Sequence, residues 1–292
     1  MFAQKSDSKM HGRKKVSIDE AERIKDQKKA KMLKEMIAEA NEAIKDPTKF
    51  EEFLPKSAQL LVYLDDFATL WNMRKKRVLE NKTEENLTKE LQVALQVLRK
   101  NPKAYWAWHH RRWCADLCEN FDYKYEVELC NQYLAADCRN FHVWRHRRWA
   151  VSRCGEDIYT QELAFSSKLI AANFSNFSAW HYRSQLPNLT NFEEEIETAK
   201  AAFWTDPNDQ SSWIYYRWLL TRPSIKENVE LLQEEVSGMD ELMHDEPKCK
   251  YPYLAGIWLQ RALPNPDEKK ISELKEKLKQ IDPIRAPYYD EQ

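Results

Sequence analysis

Aligned on its tryptophans, the chain repeats one pattern of apolar and polar positions. The segments DDFATLWNMRKKR, KAYWAWHHRRW, RNFHVWRHRRW, SNFSAWHYRS and NDQSSWIYYRW superpose on Trp71, Trp108, Trp144, Trp180 and Trp213. The intervals are 37, 36, 36 and 33 residues. A unit of that length holds two helices and their turns, which predicts a helical-hairpin repeat. In each unit a polar or proline element precedes the tryptophan: Asp66, Asn101-Pro102, Asn140, Asn176 and Asp206-Pro207. Those residues suit a turn or a helix N-cap. The tryptophan helix then carries arginine three or four residues on (Arg74, Arg111, Arg112, Arg147, Arg148, Arg183, Arg217), on the same helix face. Stretches such as NLTKELQVALQVLRK and YTQELAFSSKLIAA place apolar residues at a spacing of three or four, the mark of the partner helices.

A sixth, degenerate unit is predicted over EPKCKYPYLAGIWLQRAL, with Tyr251 or Tyr253 in the tryptophan position. The helix ISELKEKLKQIDP would close the array. Ahead of the repeats, residues 18–46 read as a long charged helix. Its weak apolar face is Ile24, Met32, Met36, Ile37, Ala40 and Ile44, and it suits a cap on the first repeat. The expected organisation is a basic tail over residues 1–16 and one all-α domain over 17–292. The repeats fall at about 49–83, 86–120, 122–156, 158–192, 191–225 and 229–263.

Composition narrows the chemistry. The 292 residues include only 4 Gly, against the demand of phosphate-binding loops and tight hairpins for positive φ. With 46 Lys+Arg against 47 Asp+Glu the net charge is −1, which disfavours nucleic acid as the main partner. No apolar run reaches the length of a membrane span, and residues 1–15 lack the apolar core of a secretory signal. Six unevenly spaced cysteines fit buried free thiols in a reducing, cytoplasmic setting better than a disulfide framework. There is no Cys-x-x-Cys pair and no His-Glu-x-x-His helix, so no zinc motif is read in this chain. Asp65-Asp66 has no carboxylate one turn later, so it does not form the paired-aspartate Mg²⁺ site of isoprenoid diphosphate synthesis.

Two repeat features leave room for function. In the second to fifth repeats the residue two after the tryptophan is His110, His146, Tyr182 or Tyr215, a column able to bond between repeats or to face a partner. The turn Asn101-Pro102-Lys103-Ala104-Tyr105 puts a lysine where no other repeat has one. A full charge beside free helix N-terminal N–H groups suits a diphosphate, and an ordinary exposed turn lysine is the plain alternative.

The five tryptophan repeats, with their Asn-x-x-x-Trp spacing, resemble the α subunits of protein prenyltransferases over about residues 10–290, and the segments MHGRKKV, DDFATLWNMR, NPKAYWAWHHRRW, RNFHVWRHRRW, NFSNFSAWHYRS, FWTDPNDQSSW and IDPIRAPYYDE are similar to the Rab (type II) branch. The His-Gly-Arg opening and the Thr-Asp-Pro-Asn-Asp-Gln segment favour the Rab (type II) branch over the α subunit shared by farnesyltransferase and type I geranylgeranyltransferase. Thr221-Arg222-Pro223 runs straight into the next helix, as in the short form without an immunoglobulin-like insertion. The resemblance implies a right-handed, crescent-shaped α-solenoid wrapped around a β subunit that holds Zn²⁺ and most of the isoprenoid pocket. It implies transfer of geranylgeranyl from geranylgeranyl diphosphate to C-terminal cysteines of Rab GTPases presented by an escort protein. By position, Lys103 and Tyr105 would lie near the diphosphate, and His142, two before Trp144, would join them. His11 would be a candidate contact to the partner's zinc. The shared farnesyltransferase-type α subunit and a non-catalytic helical scaffold remain the alternatives.

Overall fold

The computed structural model describes residues 20–292. His11 and the segment 1–16 lie outside the described residues. The described chain is helix and turn throughout, and it divides between Phe121 and Asp122 into two compact units.

The first unit carries α1 (Glu20–Lys45) and two hairpins, α2 (Pro47–Tyr63) with α3 (Ala68–Glu80) and α4 (Glu84–Lys100) with α5 (Tyr105–Leu117). The second carries α6 (Tyr123–Ala136) with α7 (Phe141–Val151), α8 (Ile158–Ala172) with α9 (Phe177–Arg183), and α10 (Phe192–Thr205) with α11 (Gln210–Leu219). After the single turn α12 (Pro223–Glu227) come α13 (Val229–Asp245) with α14 (Lys250–Ala262), then α15 (Glu268–Ile281) and α16 (Ala286–Asp290). The all-α helical-hairpin class expected from the period is the class found, including the degenerate sixth hairpin.

Local chemistry explains the helix limits. Thr83 caps α4 by accepting the Asn86 N–H at 3.2 Å, Glu84 and Glu85 fill its first turn, and Arg99 and Lys100 fill its last. Each charge matches the sign of the nearer helix end. Asn140 and Asn176 are N-caps, as their type suggests. Asn101 and Asp206 act differently, ending the preceding helix and accepting the N–H two residues on. On α1 the expected apolar face is only half right. Met36 and Ala40 are buried together with Ala43, whereas Ile24 and Met32 are exposed.

Two hydrogen-bonded columns fix each hairpin. In the first, the indole N–H donates to the carbonyl six residues earlier. The bonds are Trp71 to Asp65 (2.9 Å), Trp108 to Pro102 (2.9 Å), Trp144 to Cys138 (2.8 Å), Trp180 to Phe174 (2.8 Å) and Trp213 to Pro207 (2.9 Å). A large apolar ring thus fills the hairpin while its one polar atom closes the turn between the two helices. Tyr253 donates its hydroxyl to Pro247 over the same six residues, which assigns the tryptophan position of the sixth hairpin to Tyr253.

The second column is a buried glutamate on the first helix of a hairpin. Glu90 accepts two N–H bonds from Arg74 of the preceding hairpin at 2.9 and 2.7 Å, and a third contact from His110 of its own at 2.9 Å. Glu162 takes Arg147 at 2.7 and 2.8 Å and the Tyr182 hydroxyl. Glu195 takes Arg183 at 2.7 and 2.6 Å and Tyr215 at 2.6 Å. Glu126 meets His146 at 2.8 Å. The remaining guanidinium nitrogen donates to a carbonyl of the first helix: Arg74 to Leu54, Arg111 to Leu91, Arg147 to Val127 and Arg183 to Leu163. Buried charges of this kind survive because both carboxylate oxygens of Glu90, Glu162 and Glu195 accept charged or polar hydrogen bonds.

The sixth hairpin ends the pattern. Its counterpart of the arginine is Gly256, where an added Cβ would lie 2.9 Å from Met243 and 3.1 Å from Leu274 of α15. With no long side chain there, α15 packs directly onto α14 through Ile271, Leu274 and Leu278.

Two outcomes follow from the glutamate column. Removing one side of a buried, hydrogen-bonded ion pair costs about 3–5 kcal/mol. Arg147→Met is therefore expected to lower stability by about that much in urea unfolding, and a loss under about 1 kcal/mol would contradict the assignment. The second outcome concerns pH. Burial raises the Glu90 carboxyl, but its bond to His110 and the Arg74 guanidinium outweigh burial and leave it below the ordinary range. Burial pushes the His110 imidazole down by more than Glu90 draws it up. Both groups hold fewer protons folded than unfolded, so their stabilisation is full above about pH 6.5 and falls as the pH drops. His110→Tyr, which copies Tyr182 and Tyr215, should flatten the loss of urea midpoint between pH 7.5 and 5.5. An unchanged slope would remove His110 as its source.

Candidate functional site

The turn ahead of α5 is held from three sides. The Asn101 side-chain amide donates to Asp65 at 2.8 Å, its oxygen accepts the Lys103 backbone N–H at 3.1 Å, and the Pro102 carbonyl accepts the Trp108 indole. Ala104 is buried between the exposed Lys103 and Tyr105. The ammonium is thus carried on a braced turn rather than a loose loop, which limits the conformations a ligand has to freeze.

Tyr105 opens α5 and sets its ring edge-on to Trp106, 5.5 Å between centroids at 82°. Its ring lies 6.1 Å from that of His109, one turn on. His109 Nδ1 is 3.1 Å from the Lys75 ammonium of α3. Burial, then the charges of Lys75 and Arg112, push the His109 imidazole down and favour its neutral form. A neutral ring can accept from Lys75, whose own ammonium is pushed down by burial. Lys75 also sits 5.4 Å from the Trp113 ring. The sequence singled out Lys103 and Tyr105 but missed Lys75 and His109. Their only signal was that positions 75 and 109 lie at the exposed edge of two neighbouring tryptophan helices.

His142 belongs to the second unit. It begins α7 in the turn capped by Asn140, which accepts the N–H groups of His142 and Val143 at 3.1 and 3.3 Å. The half-buried imidazole lies 3.9 Å from the ring of Phe141, and Phe141 is 68% exposed. Arg139, five before Trp144 as Lys103 is five before Trp108, donates its guanidinium to the Ser175 carbonyl at 2.9 Å. The two basic residues therefore share a repeat position and differ in surroundings.

The site so built offers a cation and a phenol beside a neutral imidazole. It has no nucleophile with a base at hydrogen-bond range, and no group of three His, Cys, Asp or Glu among the described residues could hold a metal ion. The His and Tyr column two after each tryptophan, a second candidate surface by sequence, is instead buried on the glutamates.

The chain was compared with known proteins. The family profile described as protein prenyltransferase alpha subunit repeat matches residues 87–118, 123–154, 159–188 and 192–223. Over 306 aligned positions the chain is 33% identical to the geranylgeranyl transferase type-2 subunit alpha of Dictyostelium discoideum, spanning 96% of this chain and 98% of that one. It is 37% identical to the rat protein of the same name over 73% of this chain and 42% of the rat chain. A solved structure titled Candida albicans protein geranylgeranyltransferase-I complexed with GGPP shares the fold, with a TM-score of 0.64 at 24% identity over 83% of each chain.

Cys114 and Cys118 are not poised nucleophiles. Burial drives the Cys114 thiol far up, and burial together with Glu84 raises Cys118 to about 11. Both should remain unmodified by iodoacetamide at pH 8 for a time in which glutathione is fully alkylated. Mass spectrometry showing prompt labelling of the native chain at either residue would refute this.

Proposed function

The chain belongs to the protein prenyltransferase α-subunit family, and on that premise we propose that it is the α subunit of a Rab-type (type-2) geranylgeranyltransferase. The observation that carries this reading is the likeness to the Dictyostelium type-2 α subunit across nearly the whole of both chains. The enzyme is a heterodimer in this reading, with a β subunit as partner and geranylgeranyl diphosphate as donor. A Rab protein delivered by an escort protein offers a C-terminal cysteine, whose sulfur forms a bond to C1 of the prenyl chain as the C1–O bond to diphosphate breaks.

The Zn²⁺ that activates such a thiol is assigned to the β subunit. The described residues of this chain do not fit a zinc site. What this chain supplies is charge. Negative charge grows on the bridging oxygen of the departing diphosphate, and a cation fixed where that charge develops lowers the barrier more than one that must reorganise. Lys103, exposed on its braced turn, is assigned that role, with the Tyr105 hydroxyl as a hydrogen-bond donor beside it. His142 is assigned a polar contact to the β subunit, on the family resemblance alone.

The test is a transfer assay on the heterodimer with labelled geranylgeranyl diphosphate, offered either Rab plus escort protein or a CaaX peptide. Label on Rab alone supports the type-2 reading, and label on the CaaX peptide assigns the chain to the other branch. Lys103→Ala should slow single-turnover transfer roughly 10- to 100-fold and leave the heterodimer intact by gel filtration, with Lys103→Arg recovering much of the rate. An unaltered single-turnover rate in Lys103→Ala would sink the role given to Lys103.

A further inference from the structure

The second unit contains a basic, aromatic groove whose lining includes none of the residues assigned above to transfer. It is open to solvent and holds about 510 Å³ between α11, α14 and α16. Its chemistry comes from a slip in the arginine column. Where Arg74, Arg147 and Arg183 lock onto a glutamate, the fifth hairpin has Tyr216, whose hydroxyl donates to Glu235 at 2.8 Å while Lys200 fills the other carboxylate oxygen. The arginine comes one residue later. Arg217 is exposed, its guanidinium stands 5.1 Å from the Trp258 ring, and no carboxylate of the described residues pairs with it.

The walls are aromatic. Trp213 and Tyr251 stack with centroids 6.1 Å apart at 12°. Lys250 and Arg285 also line the cavity, and both lean on Asp282, at 3.0 and 2.6 Å. Tyr289 donates to the same carboxylate at 2.9 Å. Two cations and a phenol thus share one carboxylate, and with Arg217 beside them the groove stays positive. The cavity is rich in donors and short of acceptors, a composition that an anionic ligand completes.

The positive cavity does not stand alone. Ile214 lines it and also lines an apolar hollow of about 160 Å³ formed with Phe177, His181 and Trp218 on α9 and α11. A basic aromatic cavity and an apolar hollow therefore meet across one exposed isoleucine. We propose that this groove binds an acidic segment of a partner polypeptide, with carboxylates on Arg217 and its basic neighbours and an adjacent apolar side chain in the hollow beyond Ile214. A free phosphate would satisfy the cations but leave the aromatic wall and the hollow uncovered. Stacked aromatics, a guanidinium and an apolar anchor site are the features that concentrate binding energy at protein interfaces.

The probe is a fluorescently labelled peptide of three aspartates followed by Phe-Leu, titrated into the full chain and read by anisotropy. Binding should weaken at least tenfold when the aspartates are replaced by asparagines, and at least tenfold again for Arg217→Glu against the original peptide. Both Arg217 and Ile214 are exposed, so Arg217→Glu and Ile214→Asp should keep the wild-type circular dichroism and melting point. Ile214→Asp should weaken the peptide and leave phosphate binding alone. Equal affinity for the asparagine peptide, or no effect of Arg217→Glu, overturns the proposal. Displacement of the peptide by millimolar inorganic phosphate with no effect of Ile214→Asp overturns it too, leaving a simple anion site.

Discussion

A carboxylate buried between two hairpins is the constraint on which the rest of the architecture depends. Taking an ion out of water costs several kcal/mol unless each of its lone pairs is met. Glu90, Glu162 and Glu195 are met from two directions, by a guanidinium of the preceding hairpin and by a His or Tyr of their own. The first partner ties neighbouring hairpins together, and the second fixes the pairing of helices within one. A hairpin slipped by a single residue would strand both partners at once. Apolar packing alone would tolerate many such slips, because leucine and alanine contacts are not directional. The glutamates thus supply register, while the tryptophans supply the volume that fills each hairpin.

The same arrangement absorbs length variation. The separation from Glu to its own His or Tyr is 20 residues in four hairpins. The separation from Arg to the next Glu is 16, 15 and 12 residues. Insertions and deletions therefore fall in the turn between hairpins and leave the hairpin itself unaltered. Such a turn lies at the surface, where loop length costs little. A repeat built this way can change spacing from unit to unit without disturbing its buried charges.

This also explains what was legible in the sequence. The tryptophan and arginine columns were readable because both sit on one helix at fixed offsets. The glutamates were not, because the distance from arginine to its carboxylate varies and acidic residues are common on the first helices. The choice between Tyr251 and Tyr253 needed the six-residue bond to Pro247. The face of α1 was misjudged at Ile24 and Met32 because periodicity marks where a stripe lies, not how far its neighbours extend along it. Lys103 stood out among the five tryptophan repeats, but Lys248 holds the same place five before Tyr253, and the chemistry of Lys103 came only from resemblance. Lys75 and His109 were invisible for a different reason: they lie 34 residues apart and meet only once two hairpins pack.

Departures from the columns are informative because the columns are so demanding. A position that must carry a buried charge, and does not, has been released for other use. Gly256 is released so that α15 can close the end of the second unit. Tyr216 satisfies Glu235 without a guanidinium, which frees Arg217 to face the cavity beside Trp258. At the turn before α5 the release is of another kind. Asn101 and Pro102 brace the backbone, and the side chain at 103 lies at the surface. In each case the repeat spends its buried polar contacts on geometry, and function is left to the side chains that geometry does not need.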